Sequence, residues 1–231
     1  MKRLFSIITI CLLMSSIAMA ETDANRVRQQ KARVFGLTIG YMQTTMFNSA
    51  PLLSSETAGR TKSDRFHGLQ GGIVLNPEFG AGIGILTGVQ YAYTPTYTRS
   101  GKPKDYVLIN VSQHDLAIPL RIQYRYAFTP GFSVFAYTGP LFSVGLLWNI
   151  KESYVVDGKT ELVAKLDFYD SSDTYTYSRL HCLWGIGAGV IFNQHIRLEV
   201  SGDWGMNNIT PYKEVFTHLN RPINFAISYM F

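Results

Sequence analysis

Cysteine is nearly absent from this chain, with only Cys11 and Cys182 in 231 residues. Cys11 lies in an N-terminal apolar stretch that reads as removable, so Cys182 is left alone and an intramolecular disulfide is excluded. A lone thiol of this kind behaves first as a small buried or lipid-facing hydrophobe. Long hydrophobic runs are also missing beyond that stretch, although 46% of the residues are hydrophobic and 13% aromatic. The apolar residues are spread through short runs, which excludes spanning helices of about 20 residues. Nor is there a strong excess of one charge. Without Lys2 and Arg3 the chain holds 19 basic and 16 acidic residues, a net +3 that is too small for an electrostatic nucleic-acid footprint.

What is present begins with MKRLFSIITICLLMSSIAMA. Lys2 and Arg3 are followed by an apolar stretch from Leu4 to Met14 and by Ala18-Met19-Ala20. A basic start, a short apolar centre and a small-residue site make a secretory signal peptide, with cleavage expected after Ala20. Residues 21–32 read as a short lead and 33–231 as one domain.

Within 33–231 the dominant signal is period two. In RVFGLTIGYMQ, Phe35, Leu37, Ile39 and Tyr41 share a face, and in HGLQGGIVL so do Leu69, Ile73 and Leu75. NPEFG reads as a short turn into AGIGILTGVQYAYT, with Ile83, Ile85, Val89, Tyr91 and Tyr93 on one side. DLAIPLRIQYRY sets Leu116, Ile118, Leu120, Ile122, Tyr124 and Tyr126 against Arg121, Gln123 and Arg125. FSVFAYTGPLFSVGLLW follows, with its alternation blurred near Gly139-Pro140. RLHCLWGIGAGVIF, HIRLEVSGDW and the terminal PINFAISYMF complete eight strands. Short turns alternate with polar stretches at about 44–65, 95–110 and 149–177 and a last polar loop before the terminal strand.

An exported, helix-poor chain with eight strands, each greasy on one side, satisfies its backbone in lipid only by closing. The expected fold is therefore all-β, an eight-stranded antiparallel transmembrane β-barrel in a bacterial outer membrane. Short turns and both termini, including the 21–32 lead, fall on the periplasmic side and long loops outside. A barrel of this size has an interior that side chains can fill. Arg121, Arg125, Arg197, Glu199 and Asp203 are thus expected to form a lumen ion-pair network, because unpaired charge there is costly. A charged permeation path is the alternative. Tyr91, Tyr93, Tyr124, Tyr126 and Trp148 are expected in the aromatic girdles at the membrane interfaces.

Ile118-Pro119-Leu120 opening one strand, Tyr124-Arg125 near its end and Gly139-Pro140 in the next are phrases on which the chain resembles the Bacteroidetes outer-membrane β-barrel domain family, often called PorT-like. The resemblance runs from about Arg33 to Phe231 and implies an eight-stranded barrel of a Gram-negative bacterium. One member of that family is tied to protein secretion across the outer membrane, so a secretion component is one implied role. In such barrels the last strand, here with Tyr229 and Phe231, looks like the signal that the barrel-assembly machinery recognises.

Three constellations bear on chemistry. The ladders Gly80, Gly82, Gly84 and Gly185, Gly187, Gly189 do not have dinucleotide-binding spacing; they read as space for bulky lumen partners such as Arg121 and Arg125. His67, His114, His181 and His218 each fall near an extracellular strand end and could converge on a metal or haem with Asp115, against the plainer reading that polar residues gather at rims. Ser112, His114 and Asp115 lie close enough in sequence to suggest a lipid-modifying hydrolase or acyltransferase, although two-apart strand neighbours do not form a triad automatically.

The expected function is non-enzymatic: a structural or interaction barrel with a plugged lumen and loops that contact an extracellular or periplasmic partner. Expected associations are outer-membrane lipid and the barrel-assembly machinery, with no nucleic acid and no cofactor. A secretion component, a lipid-modifying enzyme and a small channel remain as alternatives.

Overall fold

A computed structural model describes residues 33–48, 65–101, 106–156, 159–170, 176–210 and 217–231. The expected signal peptide (1–20) and lead (21–32) lie outside the described residues. Among the described residues there are ten strands: β1 (Phe35–Asn48), β2 (Arg65–Leu75), β3 (Glu78–Gly80), β4 (Ile83–Gly101), β5 (Tyr106–Thr129), β6 (Phe132–Val156), β7 (Lys159–Asp167), β8 (Leu180–Phe192), β9 (Ile196–Gly205) and β10 (Thr217–Met230). Eight of them, β1, β2, β4, β5, β6, β8, β9 and β10, pair antiparallel in that cyclic order. The ring closes where β10 returns to β1, with Leu37 opposite Tyr229 and Ile39 opposite Ile227. Closure leaves no edge strand within the wall, which is what lets a sheet stand in lipid.

The outer wall carries the greasy face that alternation predicts. Ile39 is 63% exposed, Leu69 61% and Ile122 67%, with Ile186, Val200, Phe225 and Ile227 also outward. No water-facing sheet would present so continuous an apolar band. Cys182 also lies on this face, half-buried and opposite Phe142. At the end with the short turns, Asn193 and Gln194 both have positive φ at the centre of a tight turn, closed by the His195 amide donating to the Phe192 carbonyl at 3.0 Å.

Two sequence expectations change in outline. NPEFG is not a plain turn: Glu78–Gly80 forms β3 against the start of β4, and the reversal comes at Ala81 and Gly82, both with positive φ. The polar stretches at 95–110 and 149–177 are largely strand. β4, β5 and β6 continue past the apolar band, and β7 adds to β6, making a four-stranded sheet at the loop end. Polarity marked these segments as outside lipid, but backbone pairing continues in water as readily as in the wall.

Candidate functional site

The inward face is as polar as the outer face is apolar. Arg121 Nη2 donates to Asp203 Oδ1 at 2.7 Å, and Asp203 also accepts from Asn224 Nδ2 at 2.9 Å. Arg197 has no exposed surface; its Nε donates to Glu199 at 2.8 Å and its Nη1 to Gln123 Oε1 at 2.7 Å. Nearer the turns, Arg125 makes a two-point contact with Glu78, Nη2 to Oε2 being 2.8 Å, and also reaches Ser133. Nearer the loops, Arg221 Nη2 donates to Asp115 Oδ2 and to Ser143 Oγ, each at 3.3 Å. Among the described residues, four interior guanidiniums therefore meet four carboxylates. Charge balance of this kind is what burial away from water demands.

Aromatic rings complete the centre. The Arg197 guanidinium lies 3.7 Å from the Phe135 ring centroid, and Arg121 lies 5.0 Å from that of Tyr137. A desolvated contact of this kind is worth about 2 kcal/mol. The glycine ladder on β8 makes room for these groups. A Cβ at Gly187 would fall 2.3 Å from the Tyr137 ring, one at Gly189 2.4 Å from the Phe135 ring, and one at Gly185 1.8 Å from Asp203. The ladder does serve packing, but its partners are these rings and Asp203, whereas Gly84 meets Pro77 and Glu78. What space remains beside Arg121, Tyr137, Glu199 and Asp203 is a polar cavity of about 20 Å³, enough for roughly one water.

Toward the loop end the interior changes to an apolar cluster of Trp148, Tyr169, Ile209 and Leu219, with Val111, Phe168 and Tyr177 against it. The Trp148 ring lies 4.5 Å from Phe168 and 5.4 Å from Tyr177. Backbone bonds from Phe168 to Trp148, from Tyr177 to Phe168 and from Ser178 to Ile209 hold the segments together. Tyr169 reaches over Gly145, where a Cβ would sit 2.0 Å from its hydroxyl, and contacts His181 Nε2 at 3.4 Å. Burial pushes the Tyr169 hydroxyl well above its ordinary pKa, and the Asp115 carboxylate adds to the shift, so it stays a proton donor. Burial likewise raises Tyr177.

Trp148 is therefore not a girdle residue. It is 4% exposed and faces inward because β6 carries an extra residue at Leu146-Leu147, both exposed, opposite the His114-Asp115 step of β5. An extra residue of this kind reverses the parity at the point where the strand leaves the apolar band. Tyr91, Tyr93 and Tyr124 do lie outward.

The histidines do not converge. His67 and His114 stand on the outer wall, where each ring accepts or donates a hydrogen bond at Nδ1 with the hydroxyl of Tyr41 and Tyr91 respectively. His181 is inside, 2% exposed. The side chain of His218 lies outside the described residues. Among the described residues no group of three or more His, Cys, Asp or Glu side chains could hold a metal ion. The Ser112, His114, Asp115 arrangement is also divided: Asp115 points inward to Arg221, whereas His114 points outward. Period two alone places Asp115 on the Arg121 face.

At the seam, Tyr229 and Phe231 are outward, their rings 5.2 Å apart, and the Phe231 amide donates to the Phe35 carbonyl at 2.8 Å. Interior residues that sequence reasoning missed are Glu78, Phe135, Tyr137, Arg221 and Asn224; alternation places Gln123 on the Arg121 face without a role, and Asp115 is named only beside the rim histidines. Alternation misplaces Arg221, because β10 carries an extra residue at Arg221-Pro222 that puts Arg221 inside although it shares parity with outward Ile223.

Comparison with known proteins gives a family match and distant structural likenesses. The family model described as "Outer membrane protein beta-barrel domain" matches residues 24–210. Similar solved structures include Ail, the attachment invasion locus protein of Yersinia pestis, with 14% identity, a TM-score of 0.38, and coverage of 87% of this chain and 99% of that one. The N-terminal β-barrel domain of Pseudomonas aeruginosa OprF aligns at 9% identity and TM-score 0.31, covering 87% and 99%. The translocator domain of the Neisseria meningitidis autotransporter NalP aligns at 10% and 0.30, covering 94% and 97%. No curated protein matches the sequence.

Proposed function

The chain belongs to the outer membrane protein β-barrel domain family, and from that premise we propose that it is a non-enzymatic barrel with a plugged lumen, built to hold a loop-end surface outside the bacterial outer membrane. The observation that carries this reading is the interior balance of four guanidiniums and four carboxylates among the described residues, with a cavity of about 20 Å³ beside Arg121, Arg221, Glu199 and Asp203. A path for hydrated ions needs continuous water, and eight-stranded walls leave little of it. The ion pairs act as scaffold: removing one partner strands a buried charge, and three of the four pairs join different strands, while Arg197, paired with Glu199 on its own strand, reaches β5 through Gln123.

The contact surface is the sheet in which β4, β5, β6 and β7 continue beyond the apolar band. Short turns lie toward the periplasm and long connections outside in barrels of this kind, so the sheet faces the exterior. It meets a macromolecular partner there. A lipid-acting catalytic site is disfavoured by Asp115 turning into the lumen, away from His114. The phrases Ile118-Pro119-Leu120, Tyr124-Arg125 and Gly139-Pro140 favour a PorT-like member of the family, and Tyr229 and Phe231 at the seam suit recognition by the assembly machinery.

Conductance of the refolded full chain in a planar bilayer tests the plug, with heat-modifiable gel mobility as the check of folding. No steady conductance is expected. A steady, ion-selective conductance overturns the proposal and makes the arginine and carboxylate rows a pathway.

A further inference from the structure

The outer wall carries the same side-chain device twice. Tyr41 on β1 stands opposite Leu69 on β2, and its hydroxyl bonds His67 Nδ1, two residues further along β2. Tyr91 on β4 stands opposite Leu116 on β5, and its hydroxyl bonds His114 Nδ1, again two residues along. The ring centroids are 5.9 Å apart in both pairs, and Tyr93 covers His114 from a further 4.7 Å. An exposed tyrosine and histidine on adjacent strands satisfy each other once by chance readily enough. The same diagonal twice, in one sector of the wall, fixes two imidazoles in one orientation.

Their height on the barrel is also the same. A strand crosses a bilayer in about nine to eleven residues. Leu75 to His67 along β2 and Tyr124 to His114 along β5 each make one such crossing from the turn-end belt. Below the dyads the wall is Ile39, Leu69, Val89 and Ile118; beyond them come half-buried Gln43 and Ser112 and exposed Asn110. The dyads therefore sit where the acyl region ends and headgroups begin. The opposite sector, at its loop end, presents Leu146, Leu147, Leu180, Trp204 and Met206 instead.

With Nδ1 engaged by tyrosine, each imidazole keeps Nε2 without a partner among the described residues. If the tyrosine donates at Nδ1, the Nε2–H is a donor aimed away from that tyrosine. Lipid already covers the apolar wall directly below, and the hydrogen-bond acceptor that a bilayer offers at this level is the headgroup phosphate. We propose that His67 and His114, each oriented by its tyrosine, bind the phosphate groups of outer-leaflet lipid on the β1–β5 sector. The site biases the orientation of the barrel about its axis, because the dyads stand on one sector of the wall. The inference rests on the outer-membrane placement and not on the plugged lumen, so its failure leaves the conductance result untouched.

The test is native mass spectrometry of the refolded full chain in detergent, with bis-phosphorylated lipid A, its dephosphorylated form, or inorganic phosphate as probe. Wild type is expected to retain phosphorylated lipid A at least about ten-fold better than the His67→Leu/His114→Leu variant, the least that losing hydrogen bonds from two imidazoles to a charged group should produce. The Tyr41→Phe/Tyr91→Phe variant, which keeps the imidazoles but frees them to turn, should fall between. Equal retention by the histidine variant, equal retention of dephosphorylated lipid, or displacement of the lipid by millimolar inorganic phosphate would each overturn the proposal. Should the histidine variant fail to fold, imidazole nitrogen resonances of wild type decide the matter: Nε2 must shift with phosphorylated lipid and stay unmoved with the dephosphorylated form.

Discussion

The centre of the barrel and its loop end keep the interior from water by opposite means. At the centre, Arg197 and Arg121 lie between carboxylates and the rings of Phe135 and Tyr137. At the loop end, Trp148, Tyr169, Ile209 and Leu219 touch one another and carry no ion pair among themselves. The first arrangement is held by partners on several different strands and fails sharply when one is lost. The second is held by area, and it weakens by degrees. A wall of eight strands gains register from the first. Loop segments that are not part of the wall gain a resting place from the second.

The largest expected effect separates the two. Arg197→Met leaves Glu199 and Gln123 without their buried donor and should cost about 3 to 5 kcal/mol, read as a lower urea midpoint for loss of the heat-modifiable band. Adding Glu199→Gln should recover much of that loss, since a buried pair replaced whole is nearly neutral. A double variant no more stable than Arg197→Met alone would show that the guanidinium works by packing and not by pairing.

Trp148→Ala should remove roughly 3 kcal/mol of apolar contact, but from the loop end alone. In a Cys182→Ser background, Ser143→Cys should then react with a water-soluble maleimide about ten-fold faster, by local opening, while Gln123→Cys stays protected. Equal acceleration at both positions would mean that cap and centre are one unit. Gly187→Ala is a smaller lesion in the centre. Its Cβ meets the Tyr137 ring at 2.3 Å, and overpacking of this kind costs about 1 to 3 kcal/mol. A stability unchanged within error would show that the ring yields, and the ladder would lose its packing role.

The same two regions differ in how far the sequence foretells them. Alternation from Leu116 to Tyr126 assigns both faces of β5 correctly, because neither face is interrupted there; it places Arg121, Gln123 and Arg125 inside. Phe135 and Tyr137 escape because β6 is apolar on both faces, outward to lipid and inward to guanidiniums, so hydrophobicity has no period to reveal. Trp148 and Arg221 escape for another reason. The extra residues at Leu146-Leu147 and at Arg221-Pro222 each reverse parity, and a bulge is a property of the paired strands that one strand read alone does not contain. Proline at 222, with no amide to donate, is the single local hint. His67 and His114 were visible as rim residues. That they face outward on a shared diagonal with tyrosine follows only from register.

The Arg125 and Glu78 pair grades the comparison, because it has the same chemistry as the centre at a place that water reaches. Both of its side chains are partly exposed, 13% and 12%, whereas in the Arg197 pair the carboxylate of Glu199 is 13% exposed and the guanidinium not at all. Glu78 is carried by the short β3, where partial hydration can replace part of what the guanidinium loses. Glu78→Gln should therefore cost only about 1 kcal/mol, near the upper end for an accessible pair. The cost should shrink further in 1 M salt, where screening acts within about 3 Å, while that of Arg197→Met stays constant. Urea midpoints of the two variants at low and high salt measure this directly. If both respond to salt alike, depth in the lumen is not what sets the strength of its ion pairs, and the distinction between a water-excluding centre and its accessible ends fails with it.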